Sequence, residues 1–273
     1  MRIVKKRKFF GMREIIVIVL AVILTTLGIK AVDNLGTKSD DFCPDNMVFI
    51  VSTGGGFCVD IYEASAGADC LYDNPANQEE TRKNIDHPGC APVSEANKIP
   101  WRNISQNQAG IACTKSGKRL LTNKEWLQAS LGTPDVSNNW NQDDCNVSEN
   151  WGNKPGFTGT GKRCISSFGV YDMIGNVWEW VADTVYDGKL GNKELPPSGF
   201  VLSVDDEALP VETNVNTGDP NYYHDYFWLK TSGARAMARG GYWDNKEEAG
   251  QYSIYAVSPP SYVGTGIGFR CAK

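Results

Sequence analysis

The sequence predicts an α+β fold with small antiparallel sheets, two main helices, long loops and several disulfide bonds. Three observations carry that prediction. The 273 residues include 28 Gly, 13 Pro and many aromatic residues (8 Trp, 11 Tyr and 10 Phe), which favours a loop-rich body packed around aromatic side chains. Two segments begin with strong helix-start signals. All eight cysteines lie after an N-terminal apolar segment, as in an exported protein.

The N-terminal segment predicts membrane targeting. Residues 5–8 and Arg13 are basic, and residues 15–29 are almost entirely apolar. As a helix this run would be about 22 Å long, or about 27 Å with residues 30–32, against ~30 Å of hydrocarbon. No clean small-x-small cleavage site follows, so a cytoplasmic stub with a transmembrane anchor over residues 1–32 is favoured over a cleaved signal peptide. Both place the body outside the cytoplasm, at the cell surface if anchored and secreted if cleaved.

The charge of the body excludes one class of partner. Residues 1–32 hold seven of the 27 basic residues and one of the 32 acidic residues, so residues 33–273 hold 20 basic and 31 acidic residues, a net charge of −11. We expect no nucleic-acid binding, because neutralising phosphates requires clustered cations. Residues 33–42 form a predicted tether. Residues 43–273 form one predicted domain, since no long linker or repeat divides them.

The first elements of the body are a hairpin and two helices. Residues 47–51 and 57–62 alternate as two strands around a glycine-rich turn. Ser105, followed three residues later by Gln108, predicts a helix through a capping box, and Thr122 with Glu125 predicts a second.

Two further stretches, residues 133–169 and 184–232, are predicted to be loop-rich, the second as an irregular insertion. Within it, the aromatic run at residues 222–228 is predicted to pack as core rather than to flank a site.

The cysteines predict disulfides rather than zinc binding. There is no C-x-x-C pair, and His87 and His224 are the only histidines of the chain. Spacing alone leaves 105 pairings open. Proximity in the sequence suggests three of the pairs: Cys145–Cys164, Cys43–Cys58 and Cys70–Cys90.

Four motifs together resemble the formylglycine-generating enzyme (sulfatase-modifying factor) family. They are GKRLLTNKEW at residues 117–126, FGVYDMIGNVWEW at 168–180, RGGYW at 239–243 and IGFRCA at 267–272. The resemblance implies a C-type-lectin-like fold over residues 43–273. It also implies a disulfide between Cys113 and Cys271.

The resemblance does not imply catalysis. Oxidases of this family bind copper through two thiolates, shortly after the Arg-Gly-Gly segment, but residues 243–267 contain no cysteine. Two histidines cannot supply the ligands of the iron-dependent relatives. We therefore expect no enzyme activity, no catalytic residues and no required cofactor.

A structural calcium ion is the one metal that the resemblance leaves open. Family members surround calcium with groups at the positions of Asp172, Gly175, Val177 and Glu179, and all-oxygen ligation suits this hard cation. The alternative is that the same groups only cap and hydrogen-bond within their loop.

The C-terminal segment predicts a binding surface. Residues 242–266 contain four Tyr, three Ser and three Gly, a composition that gives large amphipathic contacts and adaptable hydrogen bonds. The alternative is a Tyr- and Ser-lined core. Lys246, Glu247, Glu248 and Gln251 are predicted to be solvated scaffold.

The same segment resembles the variable region of diversity-generating retroelement proteins, many of which have this fold. In those proteins adenine-directed copying errors change Asn codons at surface positions. Each residue at nine corresponding positions can be reached from an Asn codon by changing adenines alone. The resemblance implies a ligand-binding site at these positions: Tyr242, Asp244, Asn245, Tyr255, Val257, Ser258, Tyr262, Gly264 and Gly266.

These observations predict a surface-displayed protein whose C-terminal site, diversified by a retroelement over residues 239–272, binds an unknown protein or glycan. Tyr242, Tyr255 and Tyr262 would be aromatic anchors. The alternative is a sulfatase-modifying-factor-like envelope domain, either an uncharacterised metal-dependent enzyme or a structural module.

Overall fold

The computed structural model describes residues 42–52, 55–136 and 139–273. The predicted anchor and nearly all of the predicted tether lie outside these residues. The strands are β1 Met47–Ser52, β2 Gly55–Asp60, β3 Ala64–Ala66, β4 Pro92–Ser94, β5 Arg119–Leu120, β6 Trp178–Tyr186, β7 Lys189–Leu190, β8 Lys193–Glu194, β9 Gly199–Val204, β10 Pro210–Asn214, β11 Tyr226–Leu229, β12 Ala234–Arg239, β13 Ile254–Ala256, β14 Ile267–Phe269 and β15 Cys271–Ala272. The helices are α1 Gln78–Asp86, α2 Gln106–Lys115 and α3 Asn123–Ser130.

Local signals placed α2 and α3 correctly. Both helices begin with the predicted capping boxes, in which the Ser105 or Thr122 side chain accepts from the third backbone N–H of its helix. Helix α1 was not predicted, although Asn77 caps it by accepting from the Glu80 backbone N–H at 3.0 Å.

A four-stranded sheet pairs the β1–β2 hairpin with the C-terminal strand. Its strand order is β1-β2-β15-β5, and β1 and β2 form the predicted hairpin. The C-terminal strand β15 lies between β2 and β5, with Ala272 opposite Val59. The last residues of the chain are therefore held inside the fold.

The larger sheet has nine strands, in the order β10-β9-β11-β13-β12-β6-β7-β8, with β14 also paired to β6. It is mixed, because β11 runs parallel to β13 and β14 parallel to β6. The prediction that residues 184–232 form an irregular insertion was wrong. Strands β7 to β11 lie in this stretch and extend the sheet on both sides.

Four disulfides cross-link the body: Cys43–Cys58, Cys70–Cys90, Cys113–Cys271 and Cys145–Cys164. Sequence proximity suggested three of these pairs. The pair that the family resemblance implies, Cys113–Cys271, joins helix α2 to strand β15. Both sulfurs lie in residues that are fully buried, so this bridge is part of the core.

The described residues from Cys43 onward form one unit, and the predicted α+β class is confirmed. One cluster of buried residues packs α3 against the sheet around Trp126 and Phe227. A second cluster contains Trp180 and Phe269, and the partly buried rings of Tyr242 and Tyr255 pack against it. Among the described residues, no helix has the length and apolar character needed to cross a bilayer.

Candidate functional site

The C-terminal segment borders a cavity of about 560 Å³, here called the aromatic pocket. Six of its twelve lining residues carry aromatic rings. The pocket is lined by Trp178, Trp228, Tyr242, Trp243, Asn245, Glu248, Tyr255, Tyr262, Gly264, Thr265, Gly266 and Ile267. Its volume lies within the range of about 300–1,000 Å³ that is typical of small-molecule sites.

Strand pairing brings three of the lining aromatic rings together. Trp228 and Tyr255 are register partners on the parallel strands β11 and β13. Trp178 begins β6, opposite Ile267 of β14. The Trp178 ring meets the Trp228 ring edge-on at 5.5 Å between centroids and the Tyr255 ring at 5.9 Å. Three strands that are distant in the sequence therefore form one aromatic wall.

The Arg-Gly-Gly motif sets the backbone conformation at the start of the C-terminal segment. Gly240 and Gly241 adopt φ angles of 92° and 87°, which side chains strongly disfavour. A Cβ on Gly241 would lie 2.3 Å from the Ala249 Cβ, so the chain also needs glycine here for space. The next residue, Tyr242, enters the pocket wall and packs edge-on against Trp243 at 4.7 Å.

A buried arginine links the C-terminal segment to helix α3. The Arg239 guanidinium donates to Asn123 Oδ1 on α3 and to the Gln251 carbonyl at 2.7 Å, and it lies 4.9 Å from the centre of the Trp126 ring. Gln251 was predicted to be solvated, and that prediction was wrong, because only 7% of it is exposed. Its backbone is one of the points that fix the C-terminal segment to the core.

Of the nine predicted site residues, six line the aromatic pocket: Tyr242, Asn245, Tyr255, Tyr262, Gly264 and Gly266. Asn245 also accepts from the Tyr242 backbone N–H at 3.0 Å and so braces the turn.

The other three predicted residues do not line the cavity. Asp244 and Val257 are partly exposed outside its lining. Ser258 is buried, and its hydroxyl hydrogen-bonds with the Tyr255 hydroxyl at 2.6 Å, which orients that ring. That these nine residues bind a ligand stays a prediction.

Sequence reasoning missed several lining residues. Trp178 belongs to a family motif, and Trp228 belongs to the aromatic run that was predicted to be core. Trp243 belongs to the RGGYW family motif, and Glu248 was predicted to be solvated scaffold. An unusual density of aromatic residues at positions 222–228 was the signal that could have pointed to this wall.

The pocket has an acidic character. Burial raises the pKa of the Glu248 carboxyl, and the neighbouring charge of Glu247 raises it further. Burial also raises the pKa of the Tyr242 hydroxyl, with contributions from the charges of Asp244, Glu149 and Glu248. Negative charge therefore surrounds this ring.

The predicted calcium ligands lie in a crowded part of the core. The Asp172 Oδ2 atom accepts from the Gly159 N–H at 2.6 Å, while its Oδ1 atom is buried without a hydrogen-bond partner. The carboxylate of Glu179 accepts from Arg270 and from the Trp126 Nε1–H, so a calcium ion would compete with both donors. Calcium bound by Asp172, Gly175, Val177 and Glu179 stays a prediction.

The residues present do not fit copper. The stretch at residues 243–267, where the resemblance places the thiolate pair, lines the aromatic pocket with tyrosine, tryptophan and glycine. All eight cysteines of the chain are in disulfides, so none offers the thiolate that Cu(I) requires.

Comparison with known families agrees with this fold. Residues 53–273 match the family described as "Sulfatase-modifying factor enzyme 1-like domain". The chain belongs to the sulfatase-modifying factor family. For this family member, the match covers all three helices and every strand except β1, so the resemblance carried by the four motifs is confirmed.

Curated relatives include both active and inactive members. The chain is 28% identical over 130 residues to the "Inactive C-alpha-formylglycine-generating enzyme 2" of Mus musculus, covering 42% of each protein. It is 27% identical over 204 residues to the "Formylglycine-generating enzyme" of the same species, covering 63% of this chain and 44% of that protein. The chain thus spans less than half the length of these relatives.

Similar solved structures carry several different titles. The "Major Tropism Determinant M1 Variant" covers 85% of this chain and 52% of its own, at 20% identity and a TM-score of 0.45. The "Treponema denticola variable protein 1" covers 84% of this chain and 99% of its own, at 17% identity and a TM-score of 0.44. The "Structure of PvdO from Pseudomonas aeruginosa" covers 80% of each chain, at 18% identity and 0.46.

Proposed function

We propose that this family member is a ligand-binding protein displayed outside the cytoplasm, and that a retroelement diversifies its C-terminal site. One observation carries the proposal. Six of the nine positions expected to vary line a single cavity, although they are spread over 25 residues of sequence, from Tyr242 to Gly266. Substitutions at these positions would change one binding surface together.

The scaffold beneath that surface suits repeated substitution. The segment is anchored by buried groups that do not belong to the nine positions, namely Arg239, Gly241 and the Cys113–Cys271 disulfide. Exposed loop positions tolerate substitution at little cost in stability, whereas buried anchors do not. Binding can therefore change while the fold is kept.

Glycines in the site would set its volume. A Cβ on Gly266 would lie 2.9 Å from the Tyr242 ring and 3.1 Å from the Trp243 ring, and one on Gly264 would lie 3.0 Å from the Tyr262 hydroxyl. A larger residue at either position would reduce the cavity. Variation there would select ligands by size.

The proposal includes no catalysis. Disulfide formation leaves no thiolate for copper, and two of the curated relatives carry the name "Inactive C-alpha-formylglycine-generating enzyme 2". The ligand would be a protein or glycan held by aromatic anchors, and the predicted N-terminal segment would tether the protein to a membrane. Nucleic acid is an unsuitable ligand for so acidic a body.

The genome of origin provides the first test. We expect a reverse transcriptase gene close by, together with a near-copy of the segment that encodes residues 239–272, differing mainly at adenines of the copy. Sibling genomes should differ at the nine positions and agree at the surrounding ones. An invariant segment without a template copy would contradict diversification and favour a structural module.

A ligand screen on the full chain in detergent provides the second test. A ligand found in this way should bind Tyr255→Ala at least tenfold more weakly, because this ring belongs to the pocket wall. Tyr186→Ala is the matched control, since Tyr186 is 62% exposed at the far end of β6. Turnover of a thiol peptide with Cu(I) or Fe(II) would instead support an enzyme.

A further inference from the structure

The aromatic pocket combines ring faces with an unpaired carboxylate. Trp178, Trp228 and Tyr255 form one wall, and Tyr242, Trp243 and Tyr262 line the rest. Aromatic faces carry negative electrostatic potential and attract cations that lie within about 6 Å of the ring centre. Such a cluster of rings is the arrangement that recognises ammonium groups.

Glu248 adds a formal negative charge to this lining. It lies at the end of the short 3₁₀ helix Lys246–Glu248, and its side chain is partly buried. Within the part of the chain that the structure describes, Glu248 has no ion-pair partner, and the same holds for Asp244 and Glu149 beside Tyr242. A partly buried charge without a partner loses hydration that a bound cation would replace.

Basic side chains near the pocket do not neutralise these carboxylates. Arg102 contacts the pocket rim, but its guanidinium donates to the Thr265 carbonyl at 3.2 Å and to Asn74 Oδ1 at 3.1 Å. Lys246 is exposed and forms no ion pair among the described residues. The pocket therefore keeps an excess of negative charge.

We infer that the aromatic pocket binds a positively charged side chain of a protein partner, with the ammonium group of a lysine between the aromatic rings and Glu248. This inference rests on the proposed function and names the ligand chemistry of the same site. The aliphatic stem of lysine would contact the ring faces, and the charge would meet the carboxylate. A neutral sugar could stack on the rings but would leave Glu248 without a counter-charge.

The test uses small probes on the full chain in detergent, followed by tryptophan fluorescence and calorimetry. The probes are Nα-acetyl-lysine methylamide, which keeps the side-chain ammonium, and its Nζ-trimethylammonium form. The neutral probes are the isostere Nα-acetyl-norleucine methylamide and methyl glucoside. Both cationic probes should bind at least about fivefold more tightly than the neutral isostere, and their binding should weaken as salt rises.

Two variants that change the charge of Glu248 test whether this carboxylate contacts the bound cation. Glu248→Gln should weaken the cationic probes by about fivefold and leave the neutral isostere unchanged, and Glu248→Lys should abolish cation binding. Glu212→Gln is the matched control, because Glu212 is exposed on β10. A preserved thermal denaturation midpoint in each variant shows that the fold is kept.

Three outcomes would overturn the inference. The neutral isostere or the glucoside could bind as tightly as the cations, Glu248→Gln could bind the cations as wild type does, or no probe could bind at millimolar concentration. In the first two outcomes a pocket ligand remains and the proposed function stands. In the third, the proposed function is still decided separately by the ligand screen with Tyr255→Ala.

Discussion

Arg270 holds the carboxylate of Glu179 inside the core. The two side chains are essentially fully buried, and the guanidinium meets Glu179 Oε1 at 2.6 Å through Nη2 and both carboxylate oxygens at 2.8 Å through Nε. Glu179 directly follows the pocket-lining Trp178 on β6, and Arg270 lies between β14 and the C-terminal strand β15. The ion pair therefore fixes the wall of the pocket to the C-terminal strand.

Breaking this pair should destabilise the whole body. In Glu179→Gln the buried guanidinium loses its hydrogen-bonded counter-charge, and removing one partner of a buried pair typically costs about 3–5 kcal/mol. We expect a loss of that size in the free energy of unfolding, measured by urea denaturation. Glu212→Gln should change it by less than about 0.5 kcal/mol. Equal stabilities would show that Arg270 is satisfied by its backbone acceptors alone.

The longest disulfide loop should contribute most to stability. The Cys113–Cys271 bridge spans 158 residues, and Cys43–Cys58 spans 15. In the chain-entropy treatment these loops correspond to about 5 and about 3 kcal/mol. We expect the double variant Cys113→Ala/Cys271→Ala to lose more stability than Cys43→Ala/Cys58→Ala in the same denaturation experiment. The opposite order would mean that strain or residual unfolded structure dominates.

Local chemistry explains which elements the sequence predicts. The capping boxes at Ser105 and Thr122 are complete within four residues, so they mark α2 and α3 without tertiary information. Strands β7 and β8 have two residues each and exist only because β6 offers β7 a partner and β7 offers β8 one. No local signal announces such strands, which is why residues 184–232 were predicted to be irregular.

The distinction between local signals and tertiary pairing applies to the site as well. Tyr242, Tyr255 and Tyr262 stand in one segment whose composition indicates a surface, so sequence reasoning could group them. Trp178 and Trp228 are separated from that segment in the sequence, and only the pairing of β6, β11, β13 and β14 brings them to the pocket. Two of the three rings of the aromatic wall therefore reach the site only through strand pairing.

Asp135 and Asp225 converge on the backbone of the C-terminal segment at Gln251 and Tyr252. Asp225 Oδ1 lies 1.9 Å and Asp135 Oδ2 lies 2.4 Å from the point that a Cβ on Gly250 would occupy. Burial raises the pKa of Asp135 to about 7, and burial with the charge of Asp135 raises the pKa of Asp225 well above its ordinary range. At neutral pH the two carboxyls therefore compete for protons.

This pair predicts a pH-dependent stability. The pKa of an aspartate in the unfolded chain is about 3.9, so the raised pKa values mean that the folded state binds protons more tightly. Protonation of the pair therefore stabilises the fold fully below about pH 4, and this stabilisation is lost as the pH rises through about 7. Asp225 Oδ2 accepts a hydrogen bond from the Tyr252 N–H at 2.5 Å. Asp225→Asn keeps an acceptor for this N–H and removes the charge repulsion between the two carboxylates. We expect it to lose less stability than wild type between pH 5 and pH 8.

The measurement is urea denaturation from pH 5 to pH 8. The wild-type free energy of unfolding should fall over this range, and the slope of Asp225→Asn should be shallower. Asp69→Asn, at an exposed loop position, should keep the wild-type slope. Parallel curves for Asp225→Asn and wild type would mean that Asp225 does not contribute to the pH dependence of stability.

The nine positions of the proposed variable site should differ in their tolerance to substitution. Tyr262 is 43% exposed, so Tyr262→Asn should change the free energy of unfolding by less than about 0.5 kcal/mol. Ser258 is 8% exposed and bonded to the Tyr255 hydroxyl, so Ser258→Ala should cost about 1 kcal/mol. Thermal denaturation of both variants tests this order. If Tyr262→Asn costs more than about 2 kcal/mol, the site cannot vary freely, and the proposal of a diversified surface fails.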